Sequence, residues 1–147
     1  MAITRRALLV GLVLAPPVLS ACGFGGEKKP DPLIALADAA RADAALTVAV
    51  TTAKPELGEK LEPLRAARTE HAAALDAEVA KLDPSKASAT PAPPPPPKGE
   101  ATLPALKDAL QASANAAALV ALDLPVERVG LVASIAACCG TYSVVLA

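Results

Sequence analysis

The sequence predicts an all-α protein: an antiparallel four-helix bundle with a proline-rich connection between the second and third helices. Three observations carry that expectation. Leucine and alanine recur at three- and four-residue spacing over four segments, which is the periodicity of one helix face. Asp, Thr and Pro stand at the ends of those segments, where helices start and stop. Ala supplies 36 of the 147 residues, Trp is absent, and Phe24 and Tyr142 are the only aromatic rings. That composition favours helix, and it also limits function. Stacking on bases or sugars needs aromatic platforms, and a basic nucleic-acid surface does not fit 14 Lys+Arg against 15 Asp+Glu, a net charge of −1. The length suits one domain with a shallow core, because Ala buries little area.

Asp31-Pro32 opens the first helix, with Asp as N-cap and Pro at the first helical position. Leu33, Leu36, Ala40, Ala44, Thr47 and Thr51 form its inward stripe, Asp38, Arg41 and Asp43 lie off it, and Lys54-Pro55 ends the helix after Ala53. The second helix starts near Pro55 or Pro63 and stops before Asp83-Pro84, with a stripe of Leu61, Leu64, Arg68, His71, Leu75, Glu78 and Leu82. Residues 84–100 contain Pro91 and Pro93 to Pro97 and suit polyproline II, a strut joining two parts of a bundle. Docking of this strut on a proline-recognition partner is the alternative. Thr102 caps the third helix, whose face carries Leu103, Leu106, Leu110, Ala117, Val120 and Leu124. A short turn at Asp123-Leu124-Pro125 leads to the fourth helix, which runs through Leu131, Ile135 and Cys138. From Val129 to Ala147 there are nineteen residues without a formal charge. A helix apolar all round is expected in a bundle core, and the same stretch is just long enough to span a bilayer.

The first residues read as an address. Thr4-Arg5-Arg6 is a short basic start, Ala7 to Val18 is apolar, and Leu19-Ser20-Ala21-Cys22 closes the segment with small residues. This is the order of an export signal, residues 1–21, too short in its apolar part for a spanning helix. Arg5 and Arg6 followed by Ala7-Leu8-Leu9 are also similar to a twin-arginine export signal. The Leu-Ser-Ala-Cys ending resembles the lipobox of bacterial lipoproteins, which implies cleavage before Cys22 and its acylation; an ordinary cleaved signal with a chance Cys22 is the alternative. Residues 22–31, with Gly23, Gly25, Gly26 and Lys28-Lys29, then form a tether, and residues 32–147 form the bundle. Loss of residues 1–21 removes Arg5 and Arg6 and no acid, leaving a net charge of −3 and no pull toward anionic lipid.

The candidate site is the set of charged residues on the inward stripe of the second helix, Arg68, His71 and Glu78. Such groups are costly to bury unless paired. They are expected to form either a polar network that fixes helix register or a site for a small ligand or metal, with Asp76, Glu70 and Arg41 as further partners. No metal centre is expected, because carboxylate di-iron bundles use Glu-x-x-His pairs and the one histidine follows Glu70 directly. No cofactor is expected either. Cys138-Cys139 cannot bridge to each other within a helix, since neighbouring side chains point apart. They suit small buried residues; a redox pair or an intermolecular disulfide are the alternatives. Ser113, Ser134 and Thr141 have no histidine nearby in sequence, and no phosphate-binding glycine loop is present, so an enzyme is not expected.

Three stretches carry a family resemblance: the arginine pair with Cys22, Arg68-Thr69-Glu70-His71-Ala72-Ala73-Ala74-Leu75, and Leu131-Val132-Ala133-Ser134-Ile135-Ala136-Ala137-Cys138. In these the chain resembles the alanine-rich envelope lipoproteins of actinobacteria, including mycobacteria, some of which are assigned ferritin-like domains of unknown function. The resemblance implies a ferritin-like bundle without its metal, held on the extracytoplasmic face of the cell membrane by lipid on Cys22. Its expected role is non-catalytic, as an interaction or accessory module, with the membrane and an envelope protein as partners.

Overall fold

The structure is a computed structural model that describes residues 30–84 and 99–146; Arg5, Arg6, Cys22, the rest of the expected export segment and most of the proline-rich connection lie outside the described residues. Among the described residues the fold is all-helical, with four helices packed together: α1 (Pro32–Ala53), α2 (Gly58–Leu82), α3 (Leu103–Ala121) and α4 (Val126–Val145). A single 3₁₀ turn at Pro55–Leu57 joins α1 to α2. α1 packs chiefly on α2 and α3 on α4, while α1 against α3 unites the two pairs and α2 meets α4 lightly.

The helix ends follow local chemistry. Asp31 Oδ1 accepts a hydrogen bond from the Leu33 amide at 3.0 Å, and Pro32 fills the first turn, where a missing N–H costs nothing. The other carboxylate oxygen of Asp31 accepts from Arg128 Nη2 at 2.7 Å, which ties the start of α1 to the start of α4. At α3, Thr102 Oγ1 accepts from the Ala105 amide at 3.2 Å.

α2 begins at Gly58, before Pro63, so that proline neither opens the helix nor stops it. Pro63 faces solvent, where water satisfies the carbonyl left without its amide partner.

The core is built from leucine tips and alanine faces: Leu33, Leu36, Leu61, Leu64, Leu75, Leu106 and Leu110 are buried with Val50, Val132 and Ile135. Ala37, Ala40 and Ala117 are fully buried as well, and so small a side chain brings backbones close. Three expected stripes shift by one position. α1 buries Asp43 and Val50 where Ala44 and Thr51 were expected. α2 turns Ala72 and Val79 inward where His71 and Glu78 were expected, and its expected core residue Leu82 is 67% exposed. On α4 the buried positions are Val132, Ile135, Cys139 and Ser143, so Cys138 is the outer of the two thiols. The reason is the 3.6-residue repeat: three-four alternation drifts round the helix, and packing decides which of two adjacent residues faces in.

α4 also corrects the expectation of an all-round buried helix. It is long and apolar enough to cross a membrane by length and composition, yet only 22% of its most apolar stretch is buried. Gly130, Ala133, Ser134, Ala137 and Thr141 form its outer face.

Candidate functional site

α2 carries Arg68 between Leu64 and Leu75 on its inward face, so the leucines on either side draw a guanidinium into the core. It is 1% exposed, the largest of the fully buried side chains. Its partner comes from α1: Nη2 donates to Asp43 Oδ2 at 2.8 Å, and Asp43 is itself 4% exposed. α3 contributes Ser113, whose hydroxyl donates to the same carboxylate oxygen at 2.7 Å. One buried carboxylate therefore gathers donors from two other helices. Thr47 Oγ1 donates to the Asp43 backbone carbonyl at 2.8 Å, which pins the turn that presents the acid.

His71 sits at the margin of this cluster, half-buried, with Nδ1 3.2 Å from Arg68 Nη1. A guanidinium can only donate, so Nδ1 accepts and the ring proton rests on Nε2. Burial, followed by the Arg68 charge, holds the imidazole below its ordinary value of 6.5, and Glu70 opposes them weakly. Burial pushes the Asp43 carboxyl above its ordinary value against the pull of Arg68 and Ser113.

Glu78 does not join the cluster. It forms an ion pair with Lys81 one turn along the same helix. Asp76 goes to Arg41, whose Nη1 donates to Asp76 Oδ2 at 2.7 Å while Nη2 donates to Asp38 at the same distance. Of Arg68, His71 and Glu78, the structure brings the first two together and replaces the third by Asp43 and Ser113. Asp43 lay off the expected stripe, and Ser113 stood out only as a hydroxyl without a histidine. The signal for both was Arg68 itself, which requires an acid on a facing helix.

Two surface grooves, of about 340 and 270 Å³, lie between α1 and α2, and neither is lined by Arg68 or His71. No group of three or more His, Cys, Asp or Glu side chains that could hold a metal ion occurs among the described residues. Arg68 Nε is buried with no hydrogen-bond partner, a cost that the Asp43 pair offsets. Both C-terminal thiols are free. Burial raises the Cys139 pKa to about 11 and that of Cys138 as well, so both stay protonated and weakly nucleophilic.

The His71 environment sets a pH dependence. Its folded pKa lies below its unfolded one, so on acidification through 6.5 the unfolded chain takes up a proton that the native state resists. Stability is full above that pH and declines below it. The urea midpoint is expected to fall as pH drops through this window, and His71→Gln is expected to flatten the decline. Parallel profiles for the two proteins would refute the assignment.

No protein-family model, curated protein or solved structure matches the chain.

Proposed function

We propose that this protein is a lipid-anchored, non-catalytic bundle on the extracytoplasmic face of a bacterial cell membrane, acting as an interaction or accessory module of the envelope. The observation that carries the reading is the order at the start of the sequence: Arg5-Arg6, an apolar run, then Leu19-Ser20-Ala21-Cys22. Acylated at Cys22, the chain gains an anchor, because two or more acyl chains hold stably where one holds only reversibly. The Asp43, Arg68 and Ser113 cluster supports a structural interior, since its charges are consumed within the protein.

The resemblance to actinobacterial envelope lipoproteins adds the antiparallel, ferritin-like arrangement. Two features support it. Asp43 meets Arg68 and Arg41 meets Asp76, so an earlier position on α1 pairs with a later one on α2. α2 and α3, consecutive in sequence, do not pack on each other among the described residues. One long crossover is the connectivity of ferritin-like bundles.

The test is the intact mass of the protein extracted from its own membrane. The expected species begins at Cys22 and carries acyl chains; a bare Cys22 thiol on the exported protein overturns the anchor.

A further inference from the structure

One end of the bundle differs from the other. Asp31 precedes α1, and its ion pair to Arg128 places the α3–α4 turn at the same end. The crossing pairs Arg41–Asp76 and Asp43–Arg68 bring the last turn of α2 there too. Every exposed leucine among the described residues lies at this end: Leu82, Leu119 at 66% and Leu122 at 79%. Val126, the most exposed large apolar side chain at 81%, joins them. The far end of α4 offers Val144 and Val145 but no exposed leucine. Confinement of the exposed leucines to one end of the bundle marks that end as a surface with a partner.

We infer that this end docks on the lipid surface that holds the anchor, with Leu82, Leu119, Leu122 and Val126 entering the interface. The inference rests on the acylation of Cys22 proposed above. Asp31 follows Cys22 by nine positions, at most about 32 Å of extended chain. The 22 residues of α1 rise a further ~33 Å to the far end. The leucine end therefore lies nearest the anchor, whereas a bundle standing on its far end would need the tether drawn fully taut. Charge gives no net attraction, because Asp123 and Glu127 flank Leu122 and Val126, Lys81 beside Leu82 is paired with Glu78, and the chain from Cys22 onward carries −3. Contact through apolar side chains alone is insensitive to salt.

Absence of Trp from the sequence makes the test direct. Leu122→Trp and Val144→Trp are prepared as full-length acylated proteins in dioleoylphosphatidylcholine vesicles, with and without bromine on the lipid chains. Both positions are exposed, so neither substitution disturbs the core. The Leu122→Trp protein is expected to show blue-shifted emission and to lose most of it in brominated vesicles, at low and high salt alike. The Val144→Trp protein is expected to remain water-like and unquenched. Water-like emission from both, on protein whose mass shows an acylated Cys22, overturns the docking and leaves the anchor standing. Quenching of both lays the bundle on its side and also overturns it. A blue shift that bromine does not touch puts protein, not lipid, over Leu122 and does the same. A bare Cys22 in these samples overturns the anchor, and the inference with it.

Discussion

Replacing Arg68 with Met is expected to remove about 3–5 kcal/mol of folding stability, the cost of leaving one partner of a buried ion pair unpaired. The side chains are of similar length, so the loss is electrostatic. Asp43 would keep only the Ser113 hydroxyl in a site from which water is excluded. Small domains hold about 5–15 kcal/mol in total, so the variant should lie near the edge of folding, with a much lower urea midpoint. The decisive comparison is Arg68→Met combined with Asp43→Leu. Removing both charges removes the desolvation cost of both and the orphaned Arg68 Nε, and apolar replacement of a buried pair is commonly neutral or stabilising. The double variant is expected to regain most of the lost midpoint. If Arg68→Met unfolds at the wild-type midpoint, or the double variant is no better than the single, the cluster does not hold the three helices as described. A stable double variant also separates roles: if it retains function in the cell, the cluster served the fold, and if it does not, the charges served a ligand.

Much of the architecture was legible because the punctuation is local. Asp31-Pro32 and Lys54-Pro55 delimit α1 by capping and by steric exclusion, and both ends fall where those rules put them. The start of α2 was ambiguous because two prolines compete there. The 3₁₀ turn uses Pro55, and Pro63 is tolerated because it faces water. Phase was the weaker inference. Adjacent residues such as His71 and Ala72, or Glu78 and Val79, both satisfy a three-four alternation, and only contact with α1 and α4 selects between them. Arg68 was legible since Leu61, Leu64 and Leu75 fix the phase on both sides. Asp43 and Ser113 were not, because a lone acid and a lone hydroxyl on separate helices acquire meaning only when the fold brings them to one guanidinium. Leu82 shows the converse: it fits the stripe, but it lies on the last turn of α2, where exposure prevails over periodicity.

Cys22→Ala is expected to move the protein from the membrane fraction to the soluble fraction, the largest change that any single substitution here should cause. Each buried methylene contributes ~0.8 kcal/mol, so an acyl anchor outweighs the exposed apolar side chains of the packed bundle. Leu119, Leu122 and Val126 add a reversible contact that washing should break once the anchor is gone. The competing claim belongs to α4, which has the length and composition of a membrane span. Ala137 distinguishes the two. It lies on the exposed face of α4, so Ala137→Arg in the packed bundle should alter stability by no more than about 0.5 kcal/mol. At the centre of a bilayer the same arginine costs about 2.5–3.5 kcal/mol. The bundle therefore predicts a soluble Cys22→Ala protein, together with an Ala137→Arg protein that folds and fractionates as wild type. A Cys22→Ala protein that only detergent can extract, and that Ala137→Arg then releases, would move α4 from the bundle into the membrane. It would also require α3 to cover its inner face with some other surface, because Val132, Ile135 and Cys139 of α4 fill the core there.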